Sequence, residues 1–76
     1  MTILKIANEQ IKLCRNCLKR FDKEMCLDFY QQIQWIPNYY NTHYATAGVF
    51  EKRTLRSTMK EWEQLTEELK KVGWIG

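Results

Sequence analysis

Residues Thr54 to Gly76 carry the pattern that most restricts this chain. Leu55, Met59, Trp62, Leu65, Leu69 and Val72 recur at steps of four, three, three, four and three. That spacing puts six large apolar side chains on one face of an α-helix. Thr54 offers a hydroxyl to cap the start. Gly73 stands where the left-handed residue of a helix C-cap belongs, and Trp74 is placed to fold back on Leu69 as in a Schellman motif. A helix with one apolar face must bury it. The rest of the chain has to supply the covering surface, or a partner has to share the task.

The remaining sequence offers two further helices. Leu4, Ala7, Ile11, Cys14, Leu18, Phe21 and Met25 fall at helical steps with no Gly or Pro between them, and Thr2 is placed to cap the start. This predicts a helix over 3–21. Asp22 can cap a second helix over 23–36, with Met25, Phe29, Ile33 and Ile36 as its stripe and Cys26 and Tyr30 alongside. Pro37 stops it, because the residue before a proline is driven out of the helical region. One bent helix over 3–36 fits the same spacing, but a turn at Asp22 lets the two stripes face each other.

Residues 37–53 (PNYYNTHYATAGVFEKR) have no sustained period. Asn38, Asn41 and Gly48 are turn formers. Residues 41–47 have room for one short helix, and Val49–Phe50 reads as a short extended piece. The expectation is a single all-α domain over 1–76. It has three helices, 3–21, 23–36 and 54–72, and an aromatic-rich irregular loop between the second and third.

Seventy-six residues allow one domain, and the 45% apolar content suffices for a small core. A core of this size rarely supplies more than about 3–5 kcal/mol, so such chains often draw stability from a partner or a second copy. The net charge of +3 is mild. It permits contact with nucleic acid without demanding it. Three cysteines cannot close into a full disulfide set, which favours a reducing, cytoplasmic setting. No apolar run approaches a membrane span, and MTILKIANEQ has no signal-peptide core. The expectation is a soluble protein with no membrane partner.

Three chemistries compete for the remaining residues. The first is protein binding. Trp35, Tyr39, Tyr40 and Tyr44 cluster in sequence, and such side chains bury a flat body while keeping a polar tip wet. A three-helix core needs fewer, although plugging that core from above is the plainer role. Lys52, Arg53, Arg56 and Lys60 crowd the start of the last helix, where the helix dipole disfavours cations. An acidic partner surface would offset that. The long first stripe also offers a seam for a second copy of the chain.

The second is nucleic-acid binding. AGVFEKRTLRSTM resembles the turn and recognition helix of helix-turn-helix proteins. The resemblance covers about a dozen residues. It implies that Arg53, Arg56 and Lys60 face phosphates or base edges, with Lys12, Arg15 and Lys19 of the first helix as a second backbone contact. Two departures stand out: Val49 to Leu55 is one residue longer than the motif's spacing, and Tyr44 occupies its small-residue position. The third is a metal site. Cys14-x-x-Cys17 in IKLCRNCLKRF has the spacing of half a zinc site, superficially like a zinc knuckle, and Cys26 and His43 would complete a Cys3His set. Against it, Cys14 lies on the apolar stripe, no glycine supplies a knuckle turn, and no second CxxC follows.

Catalysis finds no support. His43 is the one histidine, and no nucleophile triad, phosphate loop or HExxH string is present. A pocket of several hundred Å³ is also hard to enclose with so short a chain. The reading is a non-enzymatic, cofactor-free regulator or inhibitor that binds a protein partner. In size and composition it is like the small proteins of phages and mobile elements.

Overall fold

The computed structural model describes residues 3–76. It is all-α: α1 spans Ile3–Lys19, α2 Lys23–Gln31, α3 Ile36–His43 and α4 Val49–Lys71, with no strand among the described residues. The expected Thr2 cap lies outside the described residues.

The first stripe forms as its spacing requires, and Leu4, Ala7, Ile11, Cys14 and Cys17 are buried. The helix ends at Lys19, two residues before the expected boundary. The amide of Phe21 donates to the carbonyl of Leu18 at 3.1 Å and that of Asp22 to Cys17 at 2.9 Å. These two bonds make a Schellman turn. Its left-handed position is filled by Phe21 at φ +57°. Phe21 is therefore not a stripe residue, and 78% of its surface is exposed. Asp22 then caps α2, its carboxylate accepting the Met25 N–H at 3.3 Å. The chain breaks where the sequence suggested and folds back, so that Cys14 of α1 meets Cys26 of α2.

α2 stops at Gln31, five residues short of the predicted end. Pro37 does not terminate it. Pro37 sits in the first turn of α3, where the amide it lacks would have had no helical partner. The stretch expected to be an irregular loop thus holds a helix, and the aromatics lie on it and on its flanks.

α4 begins at Val49, not near Thr54. Gly48 is its N-cap and supplies no side-chain bond. Thr54 lies in the second turn, and its hydroxyl donates back to the Phe50 carbonyl at 3.1 Å. The buried face carries Leu55, Thr58, Leu65 and Leu69, with Met59 and Trp62 half-buried beside them. Val72 has left the stripe and is exposed at the helix end. That end closes as predicted. Gly73 takes φ +78°, its amide donates to Lys70 at 3.0 Å, and the Trp74 amide donates to Leu69 at 3.0 Å. Trp74 and Ile75 fold onto the core.

The core joins Ala7, Ile11, Cys14 and Cys17 of α1 with Cys26, Ile33, Ile36, Leu65 and Leu69. Each fully buried Leu or Ile contributes about 1.5–3 kcal/mol by leaving water. Three polar ties join α1 to α4. The Thr58 hydroxyl donates to Asn8 Oδ1 at 2.9 Å, and Arg15 pairs with Glu61 at 3.4 Å and with Glu68 at 3.2 Å. Partner numbers rise together on both helices, so α1 and α4 run parallel. On the other flank Tyr30 shares a hydrogen bond with Thr66 at 2.9 Å and stacks on Trp62 at 6.2 Å. The α1 stripe is spent on these neighbours, so the seam expected for self-pairing is already covered.

Candidate functional site

The aromatic residues of the middle segment order themselves along α3. Positions four apart on a helix lie one above the other. Tyr39 meets Trp35 edge-on at 5.6 Å on one side and His43 at 4.3 Å on the other. Tyr40 stacks on Tyr44 at 4.8 Å, and the Lys52 ammonium sits 5.4 Å from the Tyr44 ring centre. A cation over a ring contributes roughly 0.5–1 kcal/mol in water and more as the pair is desolvated. Trp35, Tyr39, Tyr40 and Tyr44 are all half-buried, and Trp35 packs on the core. They form a self-stacked surface in place of free loop anchors.

The freely exposed apolar side chains lie next to them, on the first turn of α4. Val49 is 76% exposed and Phe50 83%. A shallow groove beside Phe50 is lined by Ile3, Leu4, Tyr39, Glu51 and Thr54. From the next two turns of α4, Arg53, Arg56 and Lys60 project into solvent over about 10 Å of helix. None of the three has an acidic partner among the described residues. Sequence reasoning singled out these cations but missed Val49 and Phe50, because both fit a short extended piece as well as a helix start. The only sequence signal was the absence of any helical partner for them in the apolar stripe of α4.

Because α4 starts at Val49, Arg53, Arg56 and Lys60 lie beyond its first turn. The dipole effect fades within that turn, and Glu51 is the acid there. The electrostatic penalty expected for the cluster is therefore mostly absent. The helix end is complemented by Lys70 and Lys71 as expected.

The helix-turn-helix set is only partly assembled. Residues 44–48 separate α3 from α4, longer than the roughly three- to four-residue turn of that motif. Leu55 is buried, but Val49, the apolar residue after the glycine, faces solvent. Tyr44 is the α3 C-cap residue, engaged with Tyr40 and Lys52. On α1, Lys12 and Lys19 are exposed, whereas Arg15 between them turns to Glu61 and Glu68.

The proposed zinc ligands do not converge. Cys14 and Cys26 touch, at 3.3 Å between sulfurs. Cys17 accepts a bond from Arg20 at 3.4 Å, and His43 is exposed on α3 against Tyr39. Among the described residues no three His, Cys, Asp or Glu side chains gather in a metal-binding arrangement. Burial pushes the Cys14 thiol far above its ordinary range, reinforced by its contact with Cys26; burial raises Cys26 as well, its bond to Cys14 working the other way. Both behave as neutral core groups, the opposite of activated thiolates.

No described helix is long and apolar enough to cross a membrane. Comparison with family profiles, curated proteins and solved structures finds no match to this chain. The functional reading therefore rests on the surface itself.

Proposed function

We propose that this chain is a small non-enzymatic protein that binds an acidic surface of a protein partner through the start of α4, and so regulates or inhibits it. The carrying observation is the placement of Val49 and Phe50, almost fully in water, beside the unpaired Arg53, Arg56 and Lys60. Large apolar groups ringed by charge are the usual make-up of an interface centre and rim. The cations steer approach and the two apolar side chains supply the anchor. The rings of Tyr39, Tyr40 and Tyr44, already ordered by stacking, extend the surface along α3 at little entropic cost. Three reduced thiols suit a cytoplasmic setting.

The test is site-specific photo-crosslinking in the host cell. A crosslinker at position 50 should trap one protein, a crosslinker at position 16 on α1 should not, and Arg53→Glu with Arg56→Glu should weaken the trapping at least tenfold. Equal labelling from both positions, or labelling untouched by the charge reversals, would sink the proposal.

A nucleic-acid reading draws on the same unpaired cations together with Lys12 and Lys19. Titration with generic single- and double-stranded DNA and RNA, followed by tryptophan fluorescence, separates the two. Tight binding at low salt that collapses as salt rises would report phosphate neutralisation and favour it.

A further inference from the structure

We propose that Cys14 and Cys26 form a reversible disulfide across the α1–α2 hairpin when the chain meets a small-molecule disulfide such as oxidised glutathione. The pair differs from the Cys14-x-x-Cys17 motif that the sequence advertises. The two sulfurs are 3.3 Å apart. The Cys14 thiol donates to the Cys26 carbonyl at 3.2 Å, and the Cys26 thiol to the Cys14 carbonyl at 3.3 Å. This reciprocal arrangement aims each side chain at the other's residue. A disulfide is about 2.05 Å long, so closure asks for a shift of little more than about 1 Å shared between two side chains. Cys17 is buried too, but its sulfur is turned to Arg20.

Both thiols are wholly buried, so no oxidant reaches them while the hairpin is closed. α2 is the element best placed to lift. It is nine residues long and Cys26 is its one buried residue. Short elements with few buried groups open at lower free energy than the global transition. Once α2 lifts, Cys26 loses its proton to solvent and attacks one sulfur of the glutathione disulfide. One glutathione thiolate leaves and a mixed disulfide remains. As α2 settles back, Cys14 gives up its proton and attacks the Cys26 sulfur, and the second glutathione departs. Two protein thiols lose two hydrogens, and one glutathione disulfide becomes two glutathione thiols. Burial, which raises both thiols, makes opening the slow step. The product fastens α2 to α1 and shortens the loops open to the unfolded chain.

The experiment uses the reduced full-length chain with excess oxidised glutathione. Samples are acid-quenched, alkylated and read by intact mass and peptide mapping. The expected end product is lighter by two hydrogens, carries no glutathione and has one alkylatable thiol, at Cys17. Cys17→Ser should give the same Cys14–Cys26 link. Urea well below the unfolding midpoint should accelerate formation at least tenfold. The oxidised chain should melt several degrees higher, and dithiothreitol should reverse the shift. A Cys14–Cys17 link, a lasting glutathione adduct, three alkylatable thiols after incubation in that urea, or a lower melting temperature would each overturn the proposal.

Discussion

Phe21 is the place where local backbone preference and retained sequence disagree most openly. It holds φ +57° in a Schellman turn, with 78% of its surface in water. An L-residue in the left-handed region costs roughly 1–2 kcal/mol. The ring recovers little of that. Full burial of a Phe is worth about 1.5–3 kcal/mol, so the covered fifth of it supplies about 0.3–0.7 kcal/mol on the same scale. Replacing Phe21 with Gly removes the backbone penalty and this small burial term. It also adds about 0.5–1 kcal/mol of entropy for the unfolded chain to lose. The midpoints of these ranges favour the variant by about 0.25 kcal/mol, a rise of about 1–2 °C in Tm for a domain this size. Phe21→Ala keeps the penalty and loses the ring, so it should fall slightly below the parent. Urea melts of the three proteins at one pH should rank Phe21→Gly above the parent and the parent above Phe21→Ala. A Phe21→Gly variant less stable than the parent would refute this reasoning. It would mean that the ring's contacts outweigh the strain.

Three further outcomes follow from named groups. Arg15→Ala removes both ion pairs to α4. These pairs are partly solvated, so the loss should be at most about 1 kcal/mol and should shrink in high salt, read by melting at two ionic strengths. Gly48→Asp gives α4 the capping acceptor it lacks and adds a second negative charge beside Glu51 at its N-terminus; φ is −71° and a Cβ meets nothing within 4 Å. Tm should rise by an amount equivalent to about 0.5–1 kcal/mol. The Cys14 thiol is held neutral in the folded chain, above its unfolded value. Its contribution is complete below the ordinary thiol pKa of about 8.5 and is lost as pH climbs past it, because only the unfolded chain then releases the proton. At pH 10 the loss is about 2 kcal/mol for this thiol. Urea melts at pH 7 and pH 10 under reductant should show that drop, and Cys14→Ala should abolish its share.

The legible parts of the fold were those where one interaction dominates a position. The α1 stripe from Leu4 to Cys14, the Asp22 cap and the Gly73–Trp74 closure are of this kind. The misread parts were positions with two roles of similar strength. Pro37 stops a helix from one side and opens one from the other, and only the packing of Ile33 and Ile36 decides between them. Thr54 looks like a cap, yet a hydroxyl inside a helix bonds back to its own turn with equal ease. Thr58 lies off the apolar stripe read from the sequence, yet it is buried, and its hydroxyl is satisfied by Asn8, fifty residues away. For the surface, the cations Arg53, Arg56 and Lys60 could be found by composition. The exposure of Val49 and Phe50 could not, because it depends on where α4 begins.

The parallel pairing of α1 with α4 also dictates the order in which the molecule can come into being. The α1–α2 hairpin closes over a few residues, but Asn8 waits for Thr58 and Arg15 for Glu68. Long loops close late. On the ribosome α1 and α2 must leave the tunnel with the α4-facing side of α1 uncovered, and it stays so until α4 emerges. The residues that complete the core are thus made long after those they cover, and a ribosome that stalls before Leu65 releases a chain unable to hide its own interior.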